Sequence, residues 1–230
     1  MTGLLEVTVL HPRDVAGAQE GGADRLFLTR GGPAGGLSPE PGAVAAVVRE
    51  SDVPVRVMLR LSDSPTTNGG EFTRLVGLAQ EYAAIGAEGV AFGFLDGDLE
   101  VDIDTCTALA EEIEGVPWTF HRVFDDALDA RRSWRRVAGL AGLDSVRSAG
   151  SPRGLSVGYD ELVSRAESDP EVARLLIPGG GLTAEMVPWF RRAGVTAYHL
   201  GPQVRPGGSA KAYVDARHVR SWRLLLDRSS

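Results

Sequence analysis

The chain of 230 residues carries a formal net charge of −7, and its length is sufficient for one α/β domain with a well-buried core. The acidic balance argues against a nucleic-acid partner, which requires a basic face, and no apolar run approaches the length of a membrane span. Cys106 is the only cysteine, which excludes an intrachain disulfide and a Cys-x-x-Cys metal site.

Strand-like and helix-like segments alternate from the start of the chain. The first strand follows Met1-Thr-Gly directly, so we expect no signal peptide and a cytoplasmic protein. Glycine-led joins such as Gly86-Ala-Glu-Gly89 separate a helix from the next strand, because the residue after a helix often adopts a positive φ. The pattern predicts strands near residues 4–9, 24–28, 55–60, 89–93, 117–121, 144–147, 174–178 and 197–200. It predicts helices near residues 12–20, 39–50, 71–85, 103–113, 131–141, 155–167, 184–193 and 214–226.

Eight β-α units in this length are typical of a TIM (β/α)8 barrel, an α/β fold that would form a single domain over residues 1–230. The strands are near-continuous apolar runs, as expected for a parallel sheet that helices cover. A doubly wound open sheet is the alternative. It is weakened because no Gly-x-Gly-x-x-Gly motif follows the first strand.

Polar side chains lie at or near the ends of several predicted strands. In a TIM barrel the active site is at the carboxyl ends of the strands, so these side chains are expected to meet there. Glu6 lies inside the first strand, and the alternation of the strand can point it into the barrel. The candidate residues are Glu6, Arg60, His121, Arg122, Asp125, Ser148 and His199.

Two kinds of chemistry follow from these residue types. His121 and Asp125 are predicted to act as an acid/base pair, in which the carboxylate orients the imidazole, and Glu6 is placed in the same catalytic group. Arg60 and Arg122 are predicted to bind a carboxylate or phosphate, since a guanidinium matches such oxygens in a bidentate way. The alternative is a purely structural network, in which the arginines neutralise Glu6 and Asp125.

A triple glycine ends the seventh strand in Leu176-Ile-Pro-Gly-Gly-Gly181, and Thr183 is a candidate helix N-cap after it. Loops after strands 7 and 8 of TIM barrels often bind phosphate, so Gly179, Gly180, Gly181 and Gly201 are predicted to bind an anion with Ser148 and His199. A tight turn is the alternative. A second glycine loop, Gly31–Gly36, precedes Ser38 and Pro39, which are predicted to cap and begin a helix.

The chain also resembles the CutC family, often described as copper homeostasis proteins, over residues from about 4 to 200. The motifs that carry the resemblance are Leu5-Glu-Val7, Gly21-Gly-Ala-Asp-Arg25, Gly35-Gly-Leu-Ser-Pro39, Val57-Met-Leu-Arg60, Phe92-Gly93, Thr119-Phe-His-Arg122 with Phe124-Asp125, Ser148 with Gly150, and Pro178-Gly-Gly-Gly181. The resemblance implies a TIM barrel, with Glu6, Arg60, His121, Arg122, Asp125 and His199 at its mouth.

The same resemblance implies copper as the cofactor to consider, yet this chain departs from the family at several positions, and two of them bear on copper. Family members typically carry cysteines on strands 1 and 2, where this chain has Thr8 and Thr29. Copper(I) prefers soft thiolate and thioether ligands, and Cys106 is predicted on an outer helix. A thiolate copper site is therefore not expected at the mouth, and we assign no metal ligands.

Two function classes stay open at this point. In the first, the chain is a copper-associated factor without catalytic activity. In the second, it is an enzyme that acts on a small anionic metabolite by His/Asp acid-base chemistry. A small anionic molecule is the expected partner, and a homodimer is compatible with the sequence.

Overall fold

A computed structural model describes residues 3–31 and 36–228, in which eight strands alternate with helices. The strands are β1 (Leu4–Val9), β2 (Arg25–Leu28), β3 (Val55–Met58), β4 (Gly89–Phe92), β5 (Trp118–Phe120), β6 (Leu143–Ser148), β7 (Leu176–Pro178) and β8 (Ala197–Leu200). The α-helices are α1 (Arg13–Gly21), α2 (Pro41–Glu50), α3 (Gly69–Ile85), α4 (Ile103–Glu112), α5 (Ala130–Val137), α6 (Leu155–Ser168), α7 (Pro170–Leu175), α8 (Val187–Arg192) and α9 (Ala216–Arg228). Short 3-10 helices cover Arg122–Asp126, Ala184–Met186, Pro202–Val204 and Pro206–Gly208.

The strands form one parallel sheet in the order β7-β6-β5-β4-β3-β2-β1-β8. Strands β1 to β7 pair consecutively, and β1 also pairs with β8, where Glu6 is opposite His199. Strands β7 and β8 lie side by side and bring the ring to near closure. The predicted TIM barrel is therefore confirmed.

The two faces of the barrel wall differ in polarity. Side chains that point outward, such as Leu5, Val57 and Trp118, belong to the large apolar core between strands and helices. Inside the barrel the apolar cluster is small and consists of Phe27, Met58 and Ala91. Most TIM barrels fill this space with branched aliphatic side chains. Here much of it holds ion pairs and hydrogen-bonded polar groups.

One such group closes the amino-terminal end of the barrel. Arg56 is fully buried and binds Glu88 and Asp144, both at the start of strands, at 2.8 and 2.6 Å. Its Nη1 also donates to Thr119 Oγ1 at 2.7 Å. This cluster holds one guanidinium against two partly exposed carboxylates, so it carries a surplus negative charge at the end away from the predicted site.

Several helix boundaries differ from the predicted ones. The predicted helix over 39–50 begins at Pro41, because Ser38 Oγ accepts the backbone N–H of Arg60 at 2.8 Å and does not cap a helix. The predicted helix over 184–193 is a 3-10 turn followed by the six-residue α8, and Thr183 makes no side-chain cap. Helix α7 precedes β7 and was not predicted. Residues 32–35 of the second glycine loop lie outside the described residues.

The carboxyl-terminal tail packs back on the start of the barrel. Helix α9 lies against α1, where a Cβ on Gly21 would meet Val219 at 2.3 Å, so the close approach requires glycine. Arg205, in the turn after β8, forms a buried ion pair with Asp14 of α1 at 2.8 Å. Within residues 3–31 and 36–228, no helix combines the length and the apolar character that crossing a bilayer requires.

Candidate functional site

A cavity of about 450 Å³ opens at the carboxyl-terminal mouth of the barrel. Residues after β1, β2, β5, β6, β7 and β8 line it, and its floor includes Phe27 and Met58 from inside the barrel. Pockets for small molecules commonly have volumes of roughly 300–1,000 Å³. The cavity therefore has the position and the size of a small-molecule site in this fold.

The cavity is strongly basic although the chain is acidic. Four arginines line it, and among the described residues no aspartate or glutamate does so. The four are Arg122, Arg147, Arg153 and Arg205. Three of them are held by buried carboxylates that lie behind the cavity wall: Glu6, Asp14 and Asp125. Ion pairing thus fixes the guanidinium groups in place while it keeps carboxylates out of the cavity.

Glu6 is the centre of the buried network beneath the floor. Its Oε2 accepts from Arg25 Nε at 2.8 Å, and its Oε1 accepts from Arg147 Nη2 at 2.5 Å and lies 2.7 Å from His199 Nδ1. Burial opposes ionisation of this side chain, yet the charges of Arg147 and Arg25 and the hydrogen bond with His199 hold its pKa well below the usual range. Glu6 is therefore an ionised carboxylate with no exposed surface.

The network carries a surplus positive charge. Arg25 and Arg147 share the single carboxylate of Glu6, and Arg147 stacks over the ring of Phe27 at 3.7 Å from its centroid. Arg147 Nε is buried and has no hydrogen-bond partner among the described residues. A buried charge without full compensation is unfavourable, so this arrangement favours an anion above the floor.

His199 connects this network to the cavity. Its Nδ1 faces Glu6, and its Nε2 lies 2.9 Å from Thr8 Oγ1; both His199 and Thr8 line the cavity. Burial and the charge of Arg147 lower the pKa of His199 to about 4, against the opposing effect of the hydrogen bond to Glu6. The imidazole is thus neutral at physiological pH.

Asp125 holds Arg122 and does not bind His121. Its carboxylate accepts from Arg122 Nε at 2.9 Å, from Ser148 Oγ at 2.6 Å and from the backbone amide of Ala149. The predicted acid/base pair of His121 and Asp125 is therefore wrong. The short 3-10 helix turns Asp125 toward β6, and Ser148 acts as part of the same anchor.

His121 and Arg60 lie away from the large cavity. His121 Nδ1 accepts the backbone N–H of Val123 at 3.3 Å, and Nε2 is buried without a hydrogen-bond partner in the described part of the chain. Burial and the nearby charge of Arg60 lower the pKa of His121 to about 3. The Arg60 guanidinium donates to the carbonyl of Asp63 and lines a separate small hollow of about 10 Å³. The structure does not bring Arg60 to the glycine loop.

The glycine loop itself reaches the cavity. Gly180, Gly181 and Gly201 line it, whereas Gly179 lies below and donates its amide to the carbonyl of Ser148. A Cβ on Gly180 would lie 2.7 Å from Arg122 Cζ, so the absence of a side chain is what admits the guanidinium. No long helix begins after this loop, since only a 3-10 turn and the short α8 follow it.

Sequence reasoning missed Arg147, Arg153 and Arg205 as cavity residues. A signal for Arg147 was present: Ser145 and Arg147 are two residues apart on β6, so both point into the barrel, whereas Ser148 points away. Arg205 had no local signal, because its position depends on the ion pair with Asp14, which is distant in the sequence.

Comparisons with known proteins agree with the fold. The model of the CutC family matches residues 3–204. The human protein named copper homeostasis protein cutC homolog is 31% identical over 216 residues, which cover 85% of this chain and 72% of the human protein. A family protein CutC of Klebsiella pneumoniae is 27% identical, with 95% of this chain and 92% of that protein covered.

A solved structure described as a copper homeostasis protein CutC from Streptococcus agalactiae superimposes with a TM-score of 0.75 at 22% identity. The match covers 86% of this chain and 98% of that chain. At this level of identity the likeness supports the TIM-barrel fold alone. The family match ends at residue 204, so Arg205 and α9 lie beyond it.

Proposed function

The chain belongs to the CutC family, and from that premise we propose that its barrel mouth binds a small anionic metabolite that carries a phosphate or carboxylate group. The observation that carries the proposal is the charge of the cavity. Four arginines line it without an acidic side chain among the described residues, and two buried guanidinium groups share one carboxylate beneath its floor.

Besides the charge, the fixed positions of the hydrogen-bond donors around the cavity support the binding of an anion. Arg122, Arg147 and Arg205 are each fixed by a buried carboxylate, so little side-chain entropy is lost when they bind a ligand. Guanidinium donors match planar carboxylates and phosphates in a bidentate way. Gly180 and Gly181, both with positive φ, bring the backbone close to the same space.

The names of the relatives raise copper as a ligand, and the donors at the mouth fit that ion poorly. Copper(I) prefers thiolate and thioether ligands. Cys106 is fully buried in the core cluster, and burial raises the pKa of its thiol to about 12. The described residues contain no cluster of three or more His, Cys, Asp or Glu able to hold a metal. Met58 and His199 line the cavity, but four guanidinium groups there repel a cation.

A calorimetric titration tests the proposal with inorganic phosphate, sulfate and acetate as probes. Arg153→Gln is the informative variant, because the Arg153 guanidinium lines the cavity and its side chain makes no hydrogen bond to a described residue, so its loss leaves the fold intact. A charge-assisted hydrogen bond contributes roughly 1.5–3 kcal/mol, so we expect affinity to fall by about tenfold or more.

Arg60→Gln is the matched control, since Arg60 is an arginine at the same mouth that lies outside the cavity. We expect this variant to bind the anions as the unsubstituted protein does. Absence of millimolar binding of all three anions by the unsubstituted protein would refute the proposal. A loss in Arg60→Gln without a loss in Arg153→Gln would also refute it, because the anion would then lie outside the cavity.

A further inference from the structure

We propose that Thr8, His199 and Glu6 form a hydroxyl–imidazole–carboxylate relay, in which His199 takes the proton of the Thr8 hydroxyl as that oxygen attacks the carbonyl carbon of a small anionic ester. The inference rests on the proposed function, because the basic cavity must hold the anionic end of the substrate. It replaces the His121–Asp125 pair with groups that do contact one another.

The three side chains form a chain of contacts in which each neighbouring pair lies at hydrogen-bond distance. Thr8 Oγ1 lies 2.9 Å from His199 Nε2, and His199 Nδ1 lies 2.7 Å from Glu6 Oε1. They come from two paired strands, β1 and β8, in which Glu6 and His199 are register partners. A nucleophile, a base in contact with it and a third group that orients the base are the geometric signature of an activated hydroxyl.

The direction of the hydrogen bonds follows from Glu6. An ionised carboxylate only accepts, so His199 Nδ1 carries the proton that it donates to Glu6. The neutral imidazole then has its lone pair on Nε2, and the Thr8 hydroxyl must be the donor in that bond. Before the reaction begins, the relay is therefore set to accept the proton of the Thr8 hydroxyl.

The surroundings of Thr8 leave room for a substrate. Thr8 is half-buried and lines the cavity. A Cβ added to Gly201 would lie 3.6 Å from Thr8 Oγ1, so the glycine leaves the space next to the Thr8 hydroxyl open. Arg147, on the same floor, has a buried Nε–H that no described residue accepts. The positive charge of Arg147 beneath the floor would stabilise the negative oxygen that develops during attack on a carbonyl.

Each half of the reaction moves one proton through His199. Thr8 Oγ1 forms a bond to the ester carbonyl carbon while its proton passes to His199 Nε2, and the carbonyl π electrons move to oxygen. On collapse the carbon–alkoxide bond breaks, and the leaving alkoxide takes the proton from His199. Water then repeats the sequence on the acyl-threonine, with its proton passing through His199 to Thr8 Oγ1. The net reaction converts an ester and water into an acid and an alcohol.

In this relay Thr8 and His199 are catalytic residues and Glu6 is a positioning residue. The test places a thiol at position 8. The alkylation rate of that thiol measures the activation of a nucleophile at this position, and it can be measured without knowledge of the substrate. The Thr8→Cys variant is alkylated with iodoacetamide over a range of pH, and modification is followed by mass spectrometry. Cys106 contributes little background, because it is fully buried.

Ala210→Cys is the matched control, since Ala210 lines the same cavity and is exposed, and its own side chain makes no hydrogen bond to an imidazole. We expect the thiol of Thr8→Cys to react below pH 7, and that of Ala210→Cys to require a pH near the ordinary thiol pKa of about 8.5. Adding His199→Gln to Thr8→Cys should slow its alkylation at pH 6 by roughly tenfold or more. Adding Glu6→Gln instead should shift the pH profile of Thr8→Cys toward that of Ala210→Cys.

The single variants suffice if a double variant does not fold, because superimposable pH profiles of Thr8→Cys and Ala210→Cys would by themselves overturn the relay. Equal alkylation rates of Thr8→Cys with and without His199→Gln would do the same.

Iodoacetate, which is itself a small carboxylate, separates this inference from the proposed function. The quantity to compare is the alkylation rate with iodoacetate divided by the rate with iodoacetamide. We expect this ratio to be higher for the Thr8→Cys thiol than for N-acetylcysteine, because the cavity arginines attract the carboxylate of iodoacetate. Loss of that preference with a retained dependence on His199 would refute the anion site and leave the relay standing.

Discussion

At the scale of single residues, the two buried histidines link the stability of the barrel to pH. Burial lowers the pKa of His121 to about 3 and that of His199 to about 4, against about 6.5 in an unfolded chain. At a pH below about 6.5 and above these lowered values, both histidines are protonated in the unfolded chain but not in the folded chain. The free energy of unfolding therefore falls as the pH is lowered through this window.

We predict that His121→Gln makes stability less dependent on pH. Each buried neutral histidine contributes a slope of about 1.4 kcal/mol per pH unit inside the window, so removing one should reduce the slope between pH 6 and 4.5 by roughly that amount. Urea unfolding at a series of pH values measures it. His11→Gln, at an exposed loop position, is the control, and equal slopes in both variants and the unsubstituted protein would contradict the prediction.

The groups that surround each histidine explain why only part of the site was predictable. The residue types and positions of Arg122 and His199 were sufficient to place them at the mouth, and the alternation of β1 was sufficient to point Glu6 into the barrel, where it lies beneath the cavity floor. The hydrogen-bond partner of His121 was not predictable from residue type. Asp125 is only four residues away in sequence, yet the 3-10 turn directs it to Ser148 and Arg122. Hydrogen-bond partners depend on turn geometry, which residue type alone does not specify.

At the scale of elements, a buried ion pair joins α1 to the tail. The Asp14 carboxylate is fully buried and binds Arg205 at 2.8 Å, and it also accepts from the amides of Leu10 and Val214. Arg205 lines the cavity and donates to the carbonyl of Thr8. The tail thus completes one wall of the candidate site.

We predict that Asp14→Asn destabilises the protein markedly. Breaking a buried ion pair on one side leaves Arg205 with an uncompensated charge, at a cost of roughly 3–5 kcal/mol. Urea denaturation gives the change, and limited proteolysis should show earlier cleavage of the tail. Asp215→Asn is the control, because its partner Arg217 is largely exposed. A stability for Asp14→Asn equal to that of the control would show that the tail is held in some other way.

The elements themselves were predictable to different degrees. Periodicity and glycine joins predicted all eight strands, because a parallel sheet under helices produces apolar runs. Helix ends were less predictable where a candidate cap had another partner, as for Ser38 with the amide of Arg60. The 3-10 turn Ala184–Met186 replaced the start of a longer predicted helix.

At the scale of the whole molecule, the family name and the chemistry of this chain point in different directions. The relatives are named for copper homeostasis, whereas the mouth presents arginines and threonines. We predict weak copper(I) binding that does not depend on Cys106. Competition with a copper(I) chelator of known affinity measures it on the purified protein.

Cys106→Ala is the matched variant, since alanine keeps an apolar side chain at a fully buried position. We expect the same weak affinity for both proteins. Tight, stoichiometric binding that disappears in Cys106→Ala would mean that α4 rearranges to expose the thiol, and it would overturn this assignment of the donors.

The ion pairs and hydrogen bonds inside the barrel also determine the stage of folding at which its interior can form. Glu6 is separated from Arg147 by 141 residues and from His199 by 193 residues. During synthesis the carboxylate of Glu6 emerges long before the groups that neutralise it. Contacts this distant in sequence form only after a large loss of loop entropy, which slows folding. Since no stretch of chain that ends before β8 contains His199, the ionic centre of this barrel cannot be completed until β8 has been synthesised.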